Sequence, residues 1–201
     1  MLIKSDILNI IEDHVNDVFD KSSVHLLYHN INHTYDVVEA VKTLSTNLNI
    51  TESEFKTLQI AAWFHDIGYL ENMHNHELYS ADYAAGFLRK QHFNTEIIIT
   101  VTSCILATKL DAPANTLLEK TLVDADLYNL GTEKHFNNSA LLQQELGFLR
   151  NKKIDDVEWL KIEIPFLKRH VYQTNYGKTI LEPVKQRHLQ QRIAELTHLI
   201  K

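Results

Sequence analysis

The chain has 201 residues, 44% of them hydrophobic and 23% charged, with a formal net charge of -6. That length buries one core, and the acidic balance excludes the broad basic footprint of a nucleic-acid polymer binder, so no such partner is expected. Five glycines, three prolines and a single cysteine, Cys104, leave few breakers for strand turns and no internal disulfide, which favours helices over a sandwich or barrel.

In chain order, Ile3 to Phe19 places apolar residues at helical spacing between charged ones. It lacks the uninterrupted apolar run of a signal peptide, and no segment reaches the roughly 18 apolar residues of a membrane span. A cytoplasmic protein without a membrane partner is expected. His33 to Leu48 follows, with Asn32 available as its cap. Glu52 to Ile67 begins with Thr51 and Glu54 at capping-box spacing, and Gly68 reads as its C-terminal cap. His76 to His92 and Glu96 to Thr108 come next. Pro113 interrupts, and Thr116 to Leu130 resumes before Gly131. His135 to Asn151, Asp156 to Tyr172 and Leu181 to Ile200 complete about nine helices. The expectation is an all-α helical bundle forming one domain over 1–201, with a core at about 25–131 and helices 132–201 packed on it. The stripe Leu189, Ile193, Leu196, Ile200 on the last helix suits either a cover for that core or the seam of a homodimer.

Four polar residues fall where apolar ones are due. His33 heads a stripe with Val37, Ala40, Val41, Leu44 and Leu48. His65 and Asp66 continue the stripe of Phe55, Leu58 and Ala62 at the end of the run Ile60-Ala-Ala-Trp-Phe64. Asp126 shares a face with Leu118, Leu122 and Ala125, whereas Asp124, two residues away, does not. A carboxylate buried alone is costly and calls for a cation or several donors. Singly, each residue is most simply a core histidine, a cap or an ion-pair partner. Together, two imidazoles and two carboxylates form a set suited to one divalent ion of Mn, Fe, Zn, Co, Ni or Mg.

The same residues carry a resemblance. Tyr28-His-Asn-Ile-Asn-His33, then His65-Asp66, then Asp124-Ala-Asp126 resemble the H…HD…D signature of the HD-domain superfamily, over roughly residues 25 to 131. His65-Asp-Ile-Gly-Tyr69, His76-Glu77, Ser80-Ala81, Ile105-Leu-Ala-Thr-Lys109 and Val123-Asp-Ala-Asp-Leu127 resemble a bacterial subgroup of predicted HD phosphohydrolases, as does, less specifically, the tail around Phe166, Arg169 and Tyr172. The resemblance implies an HD-domain helical bundle with extra C-terminal helices. It also implies a divalent metal on His33, His65, Asp66 and Asp126, and hydrolysis of a phosphate ester. Tyr69 and Leu70 stand where (p)ppGpp hydrolases carry an acidic pair, which counts against that substrate. Relatives with two metals add histidines; His76 offers one and Ile105 to Lys109 offers none, so a single tightly bound metal is expected.

The expected chemistry is attack by metal-activated water on a small, nucleotide-like phosphorylated substrate. Asp66 ligates the metal and accepts a proton from the water. His29 matches the general acid of the related cyclic-nucleotide phosphodiesterases, whose motif has the same His-Asn-x-x-His form; a supporting position or a surface turn is the equal alternative. His76 activates water or contacts substrate, and Glu77, Lys109 and Tyr69 are candidate substrate contacts. The simpler alternatives are a solvated first turn for His76 and Glu77 and a C-terminal capping charge for Lys109. Asp124 is a candidate for orienting a ligand. Two other readings stand beside this one: a cyclic-nucleotide phosphodiesterase, and a metal-binding sensor or scaffold without turnover.

Overall fold

The computed structural model describes residues 7–201; the first residues of the expected Ile3 to Phe19 helix lie outside them. Among the described residues there are nine α-helices and no strand, as an all-α chain requires. The contacts divide the chain into two compact units. One runs up to His25 and over His29–Asp126, and the other comprises Leu26–Tyr28 and Leu127–Lys201.

The first unit holds α1 (Ile7–Lys21), α2 (Ile31–Asn47), α3 (Glu52–Phe64), α4 (His76–Lys90), α5 (Thr95–Ala107) and α6 (Leu117–Asp126). Helix α3 is apolar on nearly every side from Thr57 onward, with Leu58, Ile60, Ala61, Ala62 and Phe64 fully buried. Such a helix belongs in the middle of a bundle, and α1, α2, α4, α5 and α6 all pack against it. Ile7, Ile11 and Val15 form the buried face of α1. The small residues Ala81, Ala84 and Ala85 let α4 lie close along α5, which answers with Ile98, Val101 and Ile105. Cys104 is buried on the same face of α5.

Helix starts follow local chemistry. The Thr51–Glu54 capping box forms in both directions, a device worth about 1 kcal/mol. Thr116 and Glu119 make a similar reciprocal pair ahead of α6. Helix α2 begins two residues earlier than expected, because Asn30 and not Asn32 accepts the free backbone N–H, that of Asn32 itself. Helix α3 stops at Phe64, short of Gly68. Gly68 lies in a 3₁₀ turn over Ile67–Leu70 with no left-handed backbone. Its lack of a side chain serves a close approach: a Cβ there would stand 2.1 Å from the His76 carbonyl oxygen and 2.8 Å from Ser80 N.

The second unit contains a 3₁₀ turn over Tyr128–Gly131, α7 (His135–Leu149), α8 (Asp156–Arg169), and a π-helical turn over Gly177–Leu181 that runs into α9 (Glu182–Leu199). Its core is Leu130, Leu160, Ile164, Leu167, Tyr172, Leu181 and Leu189. Ile193 and Leu196 of α9 pack on that core, and Ile200 beyond the helix is exposed. No helix among the described residues is long and apolar enough to cross a membrane.

Candidate metal centre

The four side chains at issue sit at helix ends. His33 lies in the first turn of α2, His65 and Asp66 follow the last residue of α3, and Asp126 is the last residue of α6. Their ligand atoms all lie within 4.8 Å of one another. His33 Nε2 stands 3.1 Å from Asp126 Oδ1, 3.4 Å from Asp66 Oδ2 and 3.4 Å from His65 Nε2. His65 Nε2 stands 3.2 Å from Asp66 Oδ2 and 3.6 Å from Asp126 Oδ1. Donor atoms held about 2.1 Å from one ion stand roughly 3.0 Å apart at a right angle and roughly 3.4 Å apart at the tetrahedral angle. The four separations of 3.1 to 3.4 Å match that range, and the His65–Asp126 separation of 3.6 Å lies just beyond it.

The protonation pattern points the same way. His65 Nδ1 is 2.7 Å from the Ala62 carbonyl oxygen. A carbonyl only accepts, so Nδ1 carries a proton and Nε2 is the nitrogen turned to the cluster. Asp66 Oδ2 is buried there with imidazole nitrogens beside it, His65 Nε2 at 3.2 Å and His33 Nε2 at 3.4 Å. Two carboxylates at the C-terminal ends of α3 and α6 also oppose the helix dipoles, which favour positive charge at those ends. Burial works to raise the Asp66 carboxyl, but His65 overrides it and holds it down at about 2. Burial is likewise outweighed at Asp126, which His33 and His65 hold below the ordinary carboxylate range. Burial works to lower His65, and the carboxylates of Asp66 and Asp126 raise it well above the usual imidazole range. A raised His65 and two lowered carboxylates mean that, with no metal bound, a proton on His65 supplies the positive charge at the point of convergence, and a divalent cation would displace it. Two imidazole nitrogens and two carboxylate oxygens fit a hard-to-borderline divalent cation. The His65 side chain is 0% exposed and that of Asp126 is 21% exposed, so the cluster opens to solvent on the Asp126 side.

The other candidate residues divide into two groups. His76 Nδ1–H donates to the Met73 carbonyl at 3.2 Å, the same three-residues-back arrangement as His65. His76 Nε2 therefore offers a lone pair, 3.6 Å from Asp66 Oδ1 and 3.6 Å from Glu77 Oε1. Glu77 is buried at 7% exposure, so it is no solvated first-turn residue. His29 meets His33 edge-on, with ring centroids 6.0 Å apart, and stacks on Tyr69. His29, Tyr69, His76 and Glu77 thus gather beside the four-residue cluster. Lys109 is exposed beyond the end of α5, and no hydrogen bond or ion pair ties its ammonium to the cluster. Asp124 is fully buried on α6 and is not one of the four converging ligands. The Ala62 and Met73 carbonyls, which face the two Nδ1 atoms, have no functional mark in the sequence, whereas Ser80, whose hydroxyl accepts from Gly68 N–H at 2.9 Å, belongs to the Ser80-Ala81 pair of the resemblance. The only available signal is a histidine at the end of a helical turn.

No family model matches the chain, and no curated protein matches it. Among solved structures, a predicted HD superfamily hydrolase from an uncultured Thermotogales bacterium superimposes with a TM-score of 0.60 at 20% sequence identity, covering 94% of this chain and 92% of that one. The chain has the all-helical HD-domain fold.

Proposed function

We propose that this protein is a metal-dependent phosphohydrolase acting on a small phosphorylated, nucleotide-like substrate. The observation that carries this reading is the convergence of two imidazole nitrogens and two carboxylate oxygens within 4.8 Å of one another, three of the four residues buried. His33, His65, Asp66 and Asp126 would hold the ion. A divalent cation bound there supplies Lewis acidity toward a phosphoryl oxygen and brings the acidity of water near neutral pH.

The chain's own groups supply the rest. The Ala62 carbonyl keeps the proton on His65 Nδ1, so Nε2 stays available as a ligand. His76, with its proton held on Nδ1 by Met73, can take a proton at Nε2. Asp66 Oδ1 and Glu77 Oε1, each 3.6 Å from that nitrogen, then stabilise the imidazolium. His29, edge-on to His33, serves as acid to the leaving oxygen. The exposed side of Asp126 is the direction of substrate approach.

The test is metal analysis of the purified protein beside His65→Ala and Asp66→Ala, with turnover of phosphomonoesters, phosphodiesters and cyclic nucleotides on the same samples. The expected result is about one divalent ion per chain in the wild type, lost in both variants, with turnover falling about 10³-fold or more. Preferential cleavage of cyclic over linear nucleotides would convert the reading to a cyclic-nucleotide phosphodiesterase. Stoichiometric metal with no turnover across the panel would convert it to a sensor. Absence of metal in a folded wild type, purified without chelator, would remove the central claim.

A further inference from the structure

We propose that Tyr69 is a positioning residue: its ring, held between the imidazoles of His29 and His76, sets the spacing and tilt of two side chains flanking the candidate metal centre. The inference rests on the hydrolase reading for its consequence in turnover.

The ring of Tyr69 stacks on His29 with centroids 3.9 Å apart and planes 17° apart, and on His76 with centroids 3.9 Å apart and planes 25° apart. Both faces of the aromatic ring are therefore covered by the protein itself. A ring so enclosed offers no face to a substrate base, and its faces are directed at its neighbours. Those neighbours touch different ligands of the centre: His29 lies edge-on to His33, and His76 Nε2 faces Asp66 Oδ1.

The backbone explains why the ring stays in place. Tyr69 N–H donates to the Asp66 carbonyl at 3.0 Å, which ties the turn to a ligand residue. Gly68 N–H donates to Ser80 Oγ at 2.9 Å, which ties the same turn to the first turns of α4, where His76 sits. The missing side chain of Gly68 permits the contact with the His76 backbone. The ring is thus fixed at its root on both sides. His29 reaches the stack from the segment ahead of α2, and the Tyr69 ring separates it from His76 at a centroid distance of 6.5 Å. Without the ring, each imidazole loses the plane that covers one of its faces, and the fraction in working orientation falls.

The test compares wild type, Tyr69→Leu and Tyr69→Phe as zinc-loaded protein, by metal content, kcat and KM, and the ring C–H NMR signals of His29 and His76. In Tyr69→Leu the expected result is wild-type metal content, KM within about threefold, and kcat lower by about 10- to 100-fold. Both imidazole signals should lose their ring-current shifts. Tyr69→Phe should recover most of the kcat and restore the signals. Unchanged imidazole signals in Tyr69→Leu would overturn the proposal whatever the turnover. So would metal loss in that variant, a raised KM with unchanged kcat, or equal loss of kcat in Tyr69→Phe. If the signals move as expected and the wild type shows no turnover, the hydrolase reading fails and the placement of the two imidazoles by Tyr69 stands.

Discussion

In the first unit, two carboxylates face two imidazoles with no arginine or lysine in the set. In the second, the buried carboxylate of Glu163 lies 2.8 Å from Arg192 Nε and 3.4 Å from His135 Nε2. Arg192 also donates to Ser139 Oγ at 2.9 Å, which accepts from Trp159 Nε1 at 2.8 Å, and its guanidinium covers the Phe136 ring at 4.8 Å. His135 stacks flat on His188, which donates from Nδ1 to the Leu130 carbonyl at 2.9 Å. Both regions bury acid beside histidine. The second contains its own cation, with aromatic and hydroxyl neighbours around it. The first brings two imidazole nitrogens and two carboxylate oxygens to one point. A buried carboxylate needs a positive partner; the second cluster has a permanent one in Arg192, whereas the first has only titratable imidazoles, and the function proposed above takes a divalent cation as its partner.

The contrast has measurable consequences. Arg192→Ala leaves Glu163 buried and unpaired, and should cost about 3–5 kcal/mol in urea unfolding with metal content unchanged. A cost below about 1 kcal/mol would mean that Glu163 does not depend on Arg192. Removing the metal should act on the other region alone. For an ion present at about 100 times its Kd, chelation should lower amide-exchange protection around His33, His65 and Asp126 by up to about 2.7 kcal/mol, while amides of α7 and α9 keep theirs. Equal loss in both regions would remove the distinction.

A smaller effect concerns pH. Burial, then His188 and Arg192, push the His135 imidazole down to about 3. The folded chain stays neutral there, whereas the unfolded chain takes up a proton below about pH 6.5. The stability tied to His135 is fully present above that pH and is lost as pH falls toward 3, at up to about 1.4 kcal/mol per pH unit. Glu163, which burial raises above the usual carboxylate range, contributes in the opposite sense, so the readout is the difference between wild type and His135→Phe. The variant should show the shallower decline in thermal midpoint between about pH 7 and about pH 5. Parallel curves would mean that His135 does not titrate on unfolding.

The centre was legible because its residues break local patterns. His33, His65 and Asp126 each stand on an otherwise apolar stripe, and periodicity is a property of neighbouring residues. The same locality makes Thr51 and Glu54 readable as a box, and it points to Asn32 where Asn30 is the cap, since either asparagine caps by the same chemistry. Gly68 was misread for a related reason. A glycine just past an apolar run is the usual mark of a helix end, and the backbone it accommodates, at His76 and Ser80, belongs to the next helix.

Helix content, the apolar faces and the ligand residue types follow from spacing and chemistry along the chain, because helical hydrogen bonds and caps join residues within four of each other. Other features depend on distant segments meeting: the burial of Glu77, the enclosure of the Tyr69 ring by His29 and His76, and the pairing of Glu163 with Arg192. Their burial, partners and charge states are set by which side chains arrive from elsewhere in the fold. A linear pattern carries no record of that meeting.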